Sequence, residues 1–176
     1  MTVALQRKPT AYREDVVDDA ATWPQVGLDL IDELARSGHV GLITGPLDEV
    51  PRLVLRLCDE LGISAISIGQ TLCNRPDPPT LSQIEASLSG ATILYDIELL
   101  FAPAIHTNVL SFLSMRGKRQ PTIAVWPGEI SNRRASYSVP PRPDHQEAAL
   151  TAAVIIRPTP TRFPDEVPFE IERISR

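Results

Sequence analysis

Cysteine is nearly absent from this chain: Cys58 and Cys73 are the only two in 176 residues, too few for the disulfide framework that stabilises small secreted domains. No basic-then-apolar leader with a small-residue cleavage site precedes the first acidic stretch, so the expected compartment is the reducing cytoplasm. Long hydrophobic runs are also missing. The least charged stretch, residues 99–115, is interrupted by Pro103, His106, Thr107, Asn108, Ser111 and Ser114, whereas a spanning helix needs about 20 predominantly apolar residues. It reads as a strand end, a loop and a buried helix, and no membrane contact is expected. Positive charge is in deficit as well. A formal charge of -5 gives no overall attraction to a nucleic-acid backbone. Arg116, Lys118, Arg119, Arg133 and Arg134 are the exception, a locally basic stretch that most simply forms a solvated face.

What is present points to one globular core, since 43% hydrophobic against 22% charged residues is the balance of a folded domain. Proline is abundant, 17 in all, and is concentrated at 76–79, 140–143 and 158–168, which marks loops or linkers. Residues 1–22 are polar and aperiodic and are expected to be a flexible arm whose run Glu14, Asp15, Asp18, Asp19 is solvated. A domain is expected over 23–157, followed by a proline-rich segment over 158–176.

Within that domain short apolar runs alternate with amphipathic helices, the pattern of a parallel sheet built from βαβ units. Strands are expected at 40–44, 65–68, 92–96, 122–126 and 152–156. Each is short, β-branched and nearly uncharged, as a strand covered on both faces should be. The first helix carries Val26, Leu30, Ile31, Leu34 and Ala35 at helical spacing and ends at Gly38. The second carries Val50, Leu53, Val54, Leu57, Cys58 and Leu61 and is closed by Gly62. Cys58 sits in that stripe and is read as a small core residue. A third helix starts from Thr80 as N-cap, and a fourth follows Pro103 with Ile105, Val109, Phe112 and Leu113. The alternation of Phe169, Ile171 and Arg173 with Glu170, Glu172 and Ile174 fits an edge strand or a tail that docks on a partner.

A glycine-led turn between a strand and a helix is where P-loop proteins hold phosphate, using glycine amides, a lysine and a magnesium-binding hydroxyl. Here the segment runs Gly-Leu-Ile-Thr-Gly-Pro-Leu-Asp-Glu-Val-Pro-Arg-Leu from Gly41 to Leu53. Counting from Gly45 and Pro46, Val50 stands where glycine is required, Pro51 replaces the lysine and Arg52 replaces serine or threonine. Pro51 removes an amide donor as well as the ammonium. Asp48 and Glu49 put carboxylates where phosphate oxygens would lie, and like charges there repel. Arg52 is expected to point along the helix, and Asp48 to act as an N-cap with Pro51 tolerated in the first turn. Nucleotide binding and catalysis are therefore not expected, and no cofactor is called for.

Asp96 and Glu98, after the third strand, are the candidates for a metal-orienting carboxylate, because acids at a strand's C-terminal end face the ligand crevice. Any strand exit into a loop also favours Asp. His39, His106 and His145 lack metal-ligand spacing, and no serine lies in a G-x-S-x-G elbow.

From about Gly41 to His145 the chain resembles the BrxF family, small P-loop proteins of BREX bacteriophage-exclusion systems. The resemblance is carried by Gly-Leu-Ile-Thr-Gly-Pro, by Ile-Leu-Tyr-Asp-Ile-Glu-Leu-Leu-Phe-Ala-Pro from Ile93, by Thr-Ile-Ala-Val-Trp-Pro-Gly-Glu from Thr122, and by Ser136, Tyr137, Pro140 and Pro143 to His145. It implies a three-layer P-loop-NTPase-like α/β fold, a mostly parallel five-stranded sheet with helices on both faces, and a place in phage defence. Where the family has a glycine-lysine-threonine loop this chain departs, and Tyr95-Asp96-Ile97-Glu98 stands where the family has Asp-Asn-Ile-Glu. ATPase activity therefore does not carry over.

The leading expectation is a non-catalytic scaffold that contacts other subunits of the defence system. The surfaces named for this are Trp126, Glu129, Arg133 and Arg134, the helix after Pro103, and Phe169 and Ile171 in the tail, with self-association open. The alternatives are an ATP- and magnesium-dependent regulator using Asp96, Glu98 and Arg52, or a DNA-contacting accessory using the basic stretch.

Overall fold

The structure is a computed structural model that describes residues 15–17, 23–73, 77–161 and 167–175. In chain order it contains β1 (Asp15–Val17), α1 (Trp23–Ser37), β2 (Val40–Ile43), α2 (Glu49–Leu61), β3 (Ala65–Ser67), α3 (Ile68–Leu72), α4 (Leu81–Ser87) and β4 (Ile93–Tyr95). Two 3-10 turns (Ile97–Phe101 and Pro103–Ile105) lead to α5 (Val109–Gly117), β5 (Thr122–Val125), β6 (Glu129–Ser131), β7 (Arg134–Tyr137), β8 (Gln146–Ala149), β9 (Ala153–Pro158) and β10 (Phe169–Ile174).

The helices form where their apolar spacing demands. Val50, Leu53, Val54 and Leu57 are the buried stripe of α2, and Gly62 ends it in the left-handed conformation at φ 62, which glycine adopts without steric cost. Thr80 caps α4 in a reciprocal box with Gln83, satisfying two end groups at once. Asp48, expected to cap α2, has helical dihedrals and makes no side-chain cap bond. The helix after Pro103 begins only at Val109, with Asn108 as its cap. Pro103 and Ile105 instead form a 3-10 turn.

All five expected strands exist and form the parallel part of one sheet, ordered β9-β2-β5-β4-β3. That sheet has seven strands rather than five, because β10 adds antiparallel to β9 and β1 antiparallel to β10. Part of the residues read as an N-terminal arm, 15–17, is thus a strand; Glu14, Asp18 and Asp19 lie outside the described residues. A second sheet, β6-β7-β8, was not anticipated. Its strands are three or four residues long and largely polar, with Ala135 alone fully buried, so they carry no apolar alternation to read.

Two core layers sandwich the main sheet. On one face Trp23, Leu30 and Leu34 of α1 and Leu53 and Leu57 of α2 pack on Ile43, Ile93, Ile123, Val154 and Ile156. On the other, α3, α4, α5 and the 3-10 turns pack on Val40, Leu42, Leu94, Ala124 and Ile155, with Ala135 and Leu150 anchoring the small sheet. Helices therefore cover both faces, as the right-handed connection of parallel strands requires. Among the described residues no helix is long and apolar enough to cross a membrane.

Candidate functional site

The connection after β2 passes to the α1–α2 face, while those after β4 and β5 pass to the opposite face. A crevice opens where neighbouring connections diverge, at the carboxyl ends of the strands. A cleft of about 910 Å³ opens there and runs back to the amino end of β3, between Leu47 and the flank of α2 (Pro51, Leu55, Cys58) on one side and a wall made of Ala65, Tyr95, Val125, Trp126 and Gly128 on the other. Gly45, Asp96 and Glu98 also line it.

The turn that should cradle phosphate forms one edge of this cleft, and it is closed on itself. The amides of Glu49 and Val50 both donate to the carbonyl of Pro46, at 3.2 and 3.1 Å, and Pro51 has no amide to offer. Gly45 is pressed against Pro158, where an added Cβ would sit 3.0 Å from ring carbons. Arg52 reaches back to Glu49 at 2.9 Å, following the helix as expected. The first-turn donors that give a helix N-terminus its anion affinity are thereby directed at the chain's own backbone.

Asp96 follows β4 with φ 50 and ψ 46, a left-handed geometry to which short polar side chains are best suited after glycine. Its Oδ2 accepts a 2.6 Å hydrogen bond from Ser67 Oγ, and its carbonyl accepts from the Gly69 amide at 3.1 Å. Ser67, which is buried, also caps α3 by accepting from the Gln70 amide. Asp96 thus ties β3, α3 and β4 into one corner. Glu98 is exposed in the following 3-10 turn. No group of three or more His, Cys, Asp or Glu placed to hold a metal occurs among the described residues.

The contact residues named from sequence separate sharply. Trp126 is 5% exposed; its ring stands edge-on to Phe101 and its Nε1 donates to the Ser136 carbonyl at 3.0 Å. Phe169 and Ile171 are core residues of β10, so the tail reading gives way to the strand reading. Glu129 and Arg134 are exposed on the small sheet, where Arg134 pairs with Glu147. Arg133 forms a left-handed turn with Asn132 and donates to the Ser175 carbonyl.

The basic stretch is divided: Lys118 and Arg119 are exposed, whereas Arg116 is not. Arg116 is 6% exposed, and its Nη2 donates to the carbonyls of Leu88 and Ala91. Burial lowers its pKa, with Glu85 opposing. Arg119 pairs with Glu85 at 3.1 Å.

Tyr137 stacks on Phe101 with centroids 3.9 Å apart, and burial, then the charges of Asp144 and Glu98, push its phenol pKa up while Arg142 opposes. His145 Nδ1 lies 3.1 Å from the Tyr137 carbonyl. Cys58 has a thiol pKa raised by burial and by Asp59, which suits neither nucleophile nor metal ligand.

Sequence reasoning missed the cleft itself. The signal was present in Pro51, Leu55 and Cys58, a second apolar line on α2 beside the core stripe, preceded by Leu47 in the turn. Comparison with family models, with curated proteins and with solved structures finds no match for this chain.

Proposed function

We propose that this chain is a non-catalytic, P-loop-like accessory subunit of a bacterial anti-phage defence system of BREX type, working in the cytoplasm through contacts with other subunits. In order of appearance the five parallel strands lie fifth-first-fourth-third-second. The first of these is the middle strand of the seven-stranded sheet and delivers α2 to the crevice, where a phosphate loop would act. The observation that carries the non-catalytic reading is the Pro46 carbonyl, which takes the Glu49 and Val50 amides. A triphosphate would have to displace that carbonyl, and it would find neither lysine nor hydroxyl behind it. The resemblance from Gly41 to His145 supplies the defence context.

The two alternatives lack a comparable observation. Arg52 is engaged by Glu49, which argues against a substitute cation, and the burial of Arg116 and pairing of Arg119 argue against a DNA-tracking stripe. The test is recovery of affinity-tagged chain from its native host. Other subunits of the defence system should co-purify, and a tagged chain that emerges alone would end the proposal.

A further inference from the structure

We infer that the cleft beside α2 is the docking slot for a single amphipathic helix of a partner protein, carrying an apolar stripe and a basic end. This deepens the reading of the chain as a contact subunit and rests on it. A seven-stranded sheet at about 4.8 Å per strand spans roughly 29 Å, while a packed helix covers about 10 Å. Among the described residues only α1 and α2 supply helical side chains to this face. Beyond α2 the margin of this face is only partly covered by the described residues: Ile93 beneath α2 is fully buried, while Ala65 and Tyr95 at the cleft are half-buried.

The slot is apolar on both walls. Leu55, 64% exposed, stands with Pro51 and Cys58 in one line along α2, facing Ala65 and Val125 across the cleft, and Leu47, 94% exposed, lies in the turn that leads into the helix. From Pro51 to Cys58 the line is about 10.5 Å long at 1.5 Å per residue, matching the two turns between anchors i and i+7 of a docked helix. The charge is one-sided: the ionisable carboxylates lining the cleft are Asp96 and Glu98, and no lysine, arginine or histidine lines it among the described residues. A lysine or arginine at the end of the incoming helix would meet these acids beside the carboxyl ends of the strands.

The probe is a designed, lactam-bridged peptide helix of about 14 residues with leucines at i, i+3, i+4 and i+7 and two lysines at one end, titrated into the full-length protein by calorimetry. A counterpart carries glutamates in place of the lysines. The lysine peptide should bind at least tenfold tighter than the glutamate peptide, and Leu55→Glu should weaken it at least tenfold, about 1.4 kcal/mol. Asp96→Asn with Glu98→Gln should make the two peptides equal. Leu47→Ser gives a second variant at a still more exposed site, and circular dichroism confirms that each variant is folded. A bound peptide should also slow alkylation of Cys58, which lines the slot, and leave the exposed Cys73 unchanged.

Absence of saturable binding, binding indifferent to Leu55→Glu, or binding that leaves Cys58 unprotected would each overturn the inference. A concentration-dependent dimer abolished by Leu55→Glu would assign the slot to a second copy and overturn it as well. If the peptides fail while tagged chain still brings down defence subunits, this surface is wrong and the proposed function stands.

Discussion

Replacing Ser67 by alanine tests whether the corner around Asp96 is a structural tie. Ser67 is 4% exposed; its Oγ accepts from the Gln70 amide at 3.0 Å and donates to Asp96 Oδ2 at 2.6 Å. Loss of an N-cap costs about 1 kcal/mol, and loss of a hydrogen bond to a charged group about 1.5–3 kcal/mol. The second figure falls to about 1 kcal/mol here, because Asp96 is exposed and water replaces the hydroxyl. Ser67→Ala should therefore destabilise by about 2 kcal/mol.

Asp96→Ala adds left-handed strain of about 1–2 kcal/mol, but that cost enters both legs of a double-mutant cycle and cancels. Urea unfolding of wild type, both single variants and the double variant at neutral pH should give a coupling of about 1 kcal/mol. A coupling below about 0.3 kcal/mol, the scatter of independent sites, would refute the pairing. It would also reopen Asp96 as a group held for a metal or ligand.

Three further outcomes follow from local geometry. Gly128→Ala should destabilise by more than about 4 kcal/mol, or prevent folding in thermal melts, because a Cβ there would lie 1.8 Å from the Ser136 carbonyl oxygen; a stable variant would contradict the close approach of β7 to the β5–β6 link. Arg116→Met should cost under about 1 kcal/mol in urea: the Leu88 and Ala91 carbonyls keep the Ala91 amide and Gln120 Nε2 as donors, and a guanidinium whose Nε lacks a partner is no longer buried. Arg116→Ala should cost about 2–4 kcal/mol by leaving a cavity. Hydrogen bonding by Ser138, then Arg142, holds the Asp144 carboxyl below its ordinary pKa while burial opposes. Its contribution is therefore present above the unfolded value of about 3.9 and lost as pH falls through the folded one. Urea midpoints of wild type and Asp144→Asn should converge between pH 7 and acid, and a constant gap would contradict the shift.

The parallel strands were legible because a strand buried on both faces must be continuously apolar, as Val40–Ile43 is. The α2 helix was legible because its stripe and its closing Gly62 agree. The additions at the sheet edge were only half legible: Phe169 and Ile171 alternate as a strand should, but nothing local tells an edge strand from a docking tail. What decides is long-range pairing, with Pro158 opposite Phe169 and Ile156 opposite Ile171. The small sheet was hidden because its strands, such as Gln146–Ala149, are held by backbone pairing over few apolar anchors.

In the candidate site, the missing lysine and glycine were read directly from Val50 and Pro51. The Pro46 carbonyl closing the turn was not, since a backbone acceptor leaves no mark in a sequence. Arg116 was misplaced for the opposite reason. A cation in a basic stretch reads as solvated unless the carbonyls it satisfies, here 25 and 28 residues away, can be seen.

Thermal unfolding with magnesium and ATP reports directly on whether the closed turn can hold a nucleotide. A ligand selective for the folded state at about 100 times its Kd stabilises by about 2.7 kcal/mol, which for a domain of this size raises Tm by roughly 5–10 °C. With the Glu49 and Val50 amides held by Pro46, Tm should not rise at millimolar magnesium-ATP. A rise of that size, abolished by excess EDTA, would contradict the closure.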